Sequence, residues 1–188
     1  MPSTDEPVLY VVACGGRPAA DLTGFVAEMQ TDGWHVCVIA TPSAVKFMDL
    51  ETLGSLTGYA VRHDYMQPTE PDALPLADAY VIAPATFNTI NKMASGASDT
   101  LALGLLNEAI GMPIPIVAVP TPNVALARHP AFQAAVSTLR SWGVNLIFDP
   151  PRLPLPAAGM GPPAADLFPW DELTSAVRAL RVKLDADR

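Results

Sequence analysis

The stretch that decides the fold is Val8-Leu9-Tyr10-Val11-Val12-Ala13, which runs directly into Cys14-Gly15-Gly16. Six apolar residues without polar alternation describe a strand covered on both faces, and the glycine pair describes a tight turn at its carboxyl end. Outward from there, Leu22, Phe25, Val26 and Met29 recur at helical spacing until Gly33 stops the helix. The same unit then repeats. His35 to Ala40 reads as a second strand, followed by Thr41-Pro42-Ser43 and a helix predicted over Ala44 to Leu50. Ala79 to Ala83 and Ile114 to Val119 are two more buried strands, each followed by proline and small polar residues that open a helical segment. Val144 to Ile147 is a fifth strand candidate and Tyr59 to Arg62 a weaker one. Strands alternating with helices predict an α/β protein, a three-layer sandwich with a central parallel sheet and helices on both faces.

The 188 residues suit a single domain spanning 1–188. Two stretches break its rhythm. Asp64 to Pro75 contains Pro68, Pro71 and Pro75 and reads as a loop. Asp149 to Pro169 is richer still in Pro, Gly and Ala and precedes a last helix over about 170–184. A loop of that length inside a compact domain is either functional, here a substrate flap, or plain surface loop.

Composition excludes several classes. Net charge is -8 and the eleven Lys and Arg residues are scattered, so no nucleic-acid partner is expected. No apolar run approaches the roughly 20 residues of a membrane span, and the polar, acidic start from Met1 to Pro7 is no signal peptide. Cys14 and Cys37 lie in or beside core strands and read as reduced thiols of a cytoplasmic protein. Half the residues are hydrophobic, which favours an oligomer whose interface covers part of that surface. No metal site is expected.

In an open parallel sheet, ligands bind beyond the carboxyl ends of the strands. Three polar turns fall there: Gly15-Gly16-Arg17, Thr41-Pro42-Ser43 and Pro84-Ala85-Thr86-Phe87-Asn88-Thr89. Each combines small or hydroxyl residues with a following helix N-terminus, which offers N–H groups and a positive dipole end to a phosphate. Taken singly, each reads more readily as an ordinary helix cap. Three on one sheet edge favour a phosphate site. Cys14-Gly15-Gly16-Arg17-Pro18-Ala19 lacks the third glycine of a dinucleotide fingerprint, and the second strand ends in Thr41 with no acidic residue for a ribose. No Gly-Lys-Ser/Thr phosphate loop occurs. A mononucleotide such as FMN suits these gaps better than NAD or ATP.

The run Ala83-Pro84-Ala85-Thr86-Phe87-Asn88-Thr89, continuing through Lys92 and Gly96 to Asp99, resembles the Pro-Ala-Ser-Ala-Asn-Thr region of the homo-oligomeric flavin-containing cysteine decarboxylases. Thr41-Pro42-Ser43-Ala44 with Phe47 resembles that family's second flavin-binding segment. Pro120-Thr121-Pro122-Asn123, followed by His129-Pro130, is similar to its Pro-x-Met-Asn substrate motif with Pro122 in place of Met. The resemblance runs from Val8 to Phe148 and implies a flavodoxin-like fold with FMN as cofactor. It places the flavin contacts on Gly15, Gly16, Arg17, Thr41, Ser43, Phe47, Ala85, Thr86, Asn88 and Thr89, and implies a homotrimer or a trimer-based assembly with sites near subunit interfaces.

Two departures qualify what it implies about activity. The family's catalytic His precedes the third strand at a spacing that here falls close to Glu70, in Thr69-Glu70-Pro71, and the nearest histidine is His63. His63 is either a base for the reaction or a solvated loop residue. His35 reads as structural, and His129 sits within the substrate segment. The phosphopantothenoylcysteine branch uses a flap cysteine to reduce an enethiol intermediate, and Leu153 to Ala165 has none. An enzyme without it stops at the enethiol, as the peptide decarboxylases do.

The chemistry explains why a flavin is needed. Loss of CO2 from a cysteine carboxylate leaves a carbanion with no electron sink. Oxidation of the side chain to a thioaldehyde, with hydride passing to the flavin, creates one. Asn123 is the first candidate for holding the substrate carboxylate or amide, because its side chain both donates and accepts. His63 is the candidate base for the thiol proton, with Glu70 or the flavin itself as alternatives. The expected activity is therefore FMN-dependent oxidative decarboxylation of a C-terminal peptidyl cysteine. The alternatives are a phosphopantothenoylcysteine decarboxylase-like enzyme and a non-catalytic flavin-binding protein.

Overall fold

A computed structural model describes residues 6–66, 74–159 and 168–186. Five strands form one parallel sheet: β1 (Val8–Ala13), β2 (His35–Ala40), β3 (Ala79–Ala85), β4 (Ile116–Pro120) and β5 (Asn145–Leu146), in the order β2-β1-β3-β4-β5. That is the flavodoxin-like order. The chain steps outward from β1 to β2, then returns to the other side of β1 at β3, which opens a crevice between the carboxyl ends of β1 and β3.

The helices among the described residues are α1 (Leu22–Thr31), α2 (Leu50–Thr57), α3 (Phe87–Ala94), α4 (Leu101–Gly111), α5 (Val124–Ala127), α6 (Pro130–Ser141) and α7 (Trp170–Ala186). Strand alternation assigns them to layers. Leu9, Val11, Val36, Val38, Val81 and Val117 face a core closed by Phe25 and Met29 of α1, Leu53 of α2 and Leu173 and Val177 of α7. Tyr10, Val12, Ile39, Ile82 and Ala118 face the opposite core, closed by Ile90 and Met93 of α3, Leu106 of α4, and Phe132 and Leu139 of α6. With both faces covered, the strands carry no polar face, which accounts for their continuous apolar runs.

The structure moves several expected boundaries. The segment predicted as a helix from Ala44 to Leu50 is a short 3-10 turn, Ala44–Phe47, and the true helix is α2. Its start is fixed by Asp49, whose carboxylate accepts from the Thr52 backbone N–H and hydroxyl, and it ends at Gly58 with φ 75°. Tyr59 to Arg62 is no strand: Arg62 makes a single parallel bridge to Ile39 on the outer edge of β2. Val144 to Ile147 shortens to a two-residue ladder. Two helices, α3 and α4, separate β3 from β4 where one was expected. The last helix runs two residues beyond its predicted end. No described helix is long and apolar enough to cross a membrane.

Cys14 and Cys37 are both free and buried. Burial pushes the Cys37 thiol up to about 12 from an ordinary 9.0. A raised folded-state pKa contributes stability that is complete below pH 9.0 and lost as pH rises from there toward about 12. Two results are expected. Urea stability declines on the alkaline side from about pH 9. A thiol-specific disulfide reagent at pH 8 labels neither cysteine until the protein is unfolded.

Candidate functional site

Gly15 and Gly16 carry the chain off β1, and at Gly15 the lack of a side chain is spatially required. A Cβ on Gly15 would lie 2.9 Å from Ser43 Oγ and 3.2 Å from the Ser43 carbonyl carbon; on Gly16 it would lie 3.4 Å from Pro84. The turns after β1, β2 and β3 therefore touch one another. The Cys14 N–H donates to the Pro84 carbonyl (3.1 Å) and the Thr41 N–H to the Ala13 carbonyl (2.9 Å). Beyond β4, the Thr121 N–H donates to the Ala85 carbonyl (2.9 Å).

Between these turns lies a cleft of about 390 Å³, lined by Thr41, Pro42, Ser43, Thr86, Asn88, Thr89, Lys92, Thr100 and Leu103. That falls within the roughly 300–1,000 Å³ of small-ligand sites. Thr86 caps α3: its Oγ1 accepts from the Thr89 N–H and lies 3.1 Å from Thr89 Oγ1. The other first-turn N–H groups of α3 have no intrahelical acceptor and form the positive end of the helix dipole. Lys92, also on α3, pairs with Asp99 and holds that carboxyl below its ordinary value. Hydroxyls, helix-terminal N–H groups and one ammonium make a donor set that suits a phosphate ester.

Of the residues singled out in the sequence, Thr41, Ser43, Thr86, Asn88 and Thr89 converge in this cleft. Gly15, Gly16 and Ala85 form its backbone framework. Arg17 is exposed at the start of a 3-10 turn, Arg17–Asp21, and Phe47 is 40% exposed at the end of Ala44–Phe47; neither lines the cleft. Asn123 caps α5, its Oδ1 accepting from the Leu126 N–H at 2.9 Å, which leaves the Nδ2 donors available. His129 caps α6 through Nδ1 and packs edge-on against Phe87. His63 follows Arg62 at the carboxyl end of β2. There it lines a separate cleft of about 570 Å³ with Tyr59, Arg62, Met66 and Leu74. Glu70 lies outside the described residues, as does the flap beyond Gly159.

Sequence reasoning missed Thr100 and Leu103, which line the cleft from α4. A signal existed, since Thr100 stands before Leu101-Ala102-Leu103 and its hydroxyl accepts from the Leu103 N–H. It also missed Tyr65, whose hydroxyl donates to the Thr100 carbonyl (3.3 Å) and would lie 2.5 Å from a Cβ on Gly104. Gly104 thus lets Tyr65 fasten the chain that follows His63 onto α4. Gly104→Ala is expected to raise helix stability by up to about 1 kcal/mol while expelling Tyr65. Trypsin should then cut faster after Arg62, and Tyr65→Phe alone, which loses the bond to the Thr100 carbonyl, should also raise the rate.

Fold and site together define a doubly wound α/β protein with a hydroxyl-lined cleft at its switch point. The flavoprotein family profile matches residues 4–181. The chain belongs to the flavoprotein family. Among sequence relatives, the coenzyme A biosynthesis bifunctional protein CoaBC of Bacillus subtilis (strain 168) is 30% identical over 139 residues, covering 71% of this chain and 34% of that protein. The chain thus spans about a third of the length of that relative. Among solved structures, the FMN-dependent cysteine decarboxylase SpaF is 26% identical with a TM-score of 0.65, over 76% of this chain and 83% of that one. The epidermin biosynthesis protein EpiD from Staphylococcus aureus is 25% identical with a TM-score of 0.60, over 74% and 81%.

Proposed function

We propose that this chain binds FMN in the hydroxyl-lined cleft and oxidatively decarboxylates the C-terminal cysteine of a peptide. The observation that carries the reading is the convergence of Ser43, Thr86, Asn88 and Thr89 at the β1/β3 switch point, where the donor set matches a phosphate ester. The likeness to SpaF, an FMN-dependent cysteine decarboxylase, supports it. Bound there, FMN supplies the two-electron acceptor that oxidises the cysteine side chain and so creates the thiocarbonyl electron sink that CO2 loss requires.

The chain's own residues bind, orient and move protons. Ser43, Thr86 and Asn88 would donate to the phosphate, with Thr89 behind them orienting Thr86. Gly15, which has no room for a side chain, would keep the β1 turn close to the phosphate. Asn123 keeps its Oδ1 in the α5 cap, so its Nδ2 donates to the substrate carboxylate. His63 lines the neighbouring cleft at the carboxyl end of β2, and it would take the thiol proton from a substrate that spans both clefts. Asn123→Asp tests the Asn123 role, because the cap is kept while the donor becomes a negative charge facing a carboxylate. Thermal stability is expected to hold within about 0.5 kcal/mol while kcat/KM falls roughly a hundredfold or more. The assembly we propose is a homotrimer, supported by exposed Leu76, Met112, Trp142 and Val182, and light scattering of the purified protein measures it.

A second reading, decarboxylation of phosphopantothenoylcysteine, is favoured by the similarity to CoaBC. Against it, both cysteines of the chain are buried in or beside the sheet and the sequence of the flap carries none. The deciding experiment offers both substrates and weighs the products. A peptide ending in cysteine that loses roughly 46 Da, CO2 plus two hydrogens, supports the first reading. Turnover of phosphopantothenoylcysteine alone supports the second. A colourless protein that takes up no FMN overturns both.

A further inference from the structure

Behind the cleft, the Cys14 thiol is 1% exposed and donates to Thr89 Oγ1 at 3.2 Å. Thr89, 4% exposed, lies 3.1 Å from Thr86 Oγ1, which also accepts from the Thr89 N–H. These contacts form a chain from the buried end of β1 to the lining of the cleft. A hydroxyl has one hydrogen to give and two lone pairs to accept with. Accepting the Cys14 S–H polarises the Thr89 hydroxyl to donate in turn. The acceptor within reach is Thr86 Oγ1. Thr86 then accepts twice, from the Thr89 hydroxyl and the Thr89 N–H, and its own hydrogen is left for the cleft.

We propose that Cys14 is a positioning residue whose S–H sets the direction of a Cys14–Thr89–Thr86 relay, presenting Thr86 to the ligand as a hydrogen-bond donor and so selecting its anionic end. The inference rests on the FMN reading above and extends it: the thiol serves ligand recognition as a buried donor, with no redox part. Burial raises the Cys14 pKa, so the thiol keeps the proton this role requires. Serine supplies the same donor. Valine fills the space without one, and alanine empties it.

The test compares FMN with riboflavin, which lacks the phosphate, by flavin fluorescence titration of the apoprotein. Cys14→Val and Cys14→Ala are expected to weaken FMN roughly three- to tenfold, the worth of one hydrogen bond in the network, while riboflavin affinity changes less than about twofold. Cys14→Ser is expected to bind both ligands as wild type does, which also guards against a folding artefact. Equal losses for the two flavins would mean that Cys14 only packs, and would overturn the proposal while leaving the FMN reading intact. Unchanged FMN affinity in Cys14→Val would overturn it too. A wild-type protein that binds riboflavin and FMN equally removes the phosphate subsite and the relay with it, and one that binds neither removes the FMN reading itself.

Discussion

Gly15→Val is expected to cut FMN affinity by roughly ten- to a hundredfold, the worth of one or two charge-assisted hydrogen bonds. The first atom of the new side chain would sit 2.9 Å from Ser43 Oγ, 3.1 Å from Ser43 Cβ and 3.2 Å from the Ser43 carbonyl carbon. Ser43 Oγ can rotate aside, but the carbonyl carbon belongs to the backbone, so the whole Thr41–Ser43 turn must withdraw. That turn holds the cleft's β2 side, and the Thr41 N–H is itself tied to the Ala13 carbonyl two residues before Gly15. Overpacking of this kind costs about 1–3 kcal/mol, which in a chain of this size lowers Tm by roughly 2–12 °C. Flavin fluorescence titration and a thermal melt measure the two effects. A folded Gly15→Val protein that retains wild-type FMN affinity would place the flavin elsewhere.

The second large effect is expected at Phe132, which lies on α6 and is fully buried. Its ring stacks on Phe87 at 5.7 Å and meets Phe148 edge-on at 5.4 Å. Phe132→Ala removes the contact that both neighbours share and is expected to cost about 3–5 kcal/mol, lowering Tm by roughly 6–20 °C. Its consequence reaches the cleft, because Phe87 is the first residue of α3 and stands between Thr86 and Asn88. With its packing partner gone, Phe87 can shift and take both cleft residues with it. FMN affinity should therefore fall with stability in Phe132→Ala, whereas Leu139→Ala, equally buried but about two turns further along α6, should lose stability with little change in affinity. Equal affinity losses in the two variants would show that α6 supports the cleft only through global stability.

Much of this architecture is legible in short windows of sequence. Val8–Ala13 and His35–Ala40 are continuous apolar runs of strand length, and the structure places strands there to the residue. The helix over Leu22–Thr31 follows from its spacing and from Gly33, whose φ of 81° suits glycine. Such features depend on neighbours within a turn or two, so a linear reading finds them. Where that reading went astray, a stronger local signal had been passed over: Asp49 caps Thr52, and it outcompetes Ser43 as the start of α2 because Ser43 makes no capping bond.

The composition of the cleft was half legible for the same reason. Thr86-Phe87-Asn88-Thr89 announces a helix start, and any helix start presents donors. That Ser43 and Thr86 belong to one cavity follows from β2 and β3 flanking the same strand, a fact of sheet order that no local window contains. Thr100 and Leu103 enter it only because α4 packs on the same face as α3, and Cys14 meets Thr89 only because β1 pairs with β3 across 75 residues of chain. His63 reaches the carboxyl edge through one bridge to Ile39, where propensity alone had suggested a strand. Sequence by itself determined the elements and the chemistry at their ends, because periodicity and capping are short-range. Tertiary structure decided which ends meet, because strand order and register are set by burial of both sheet faces at once.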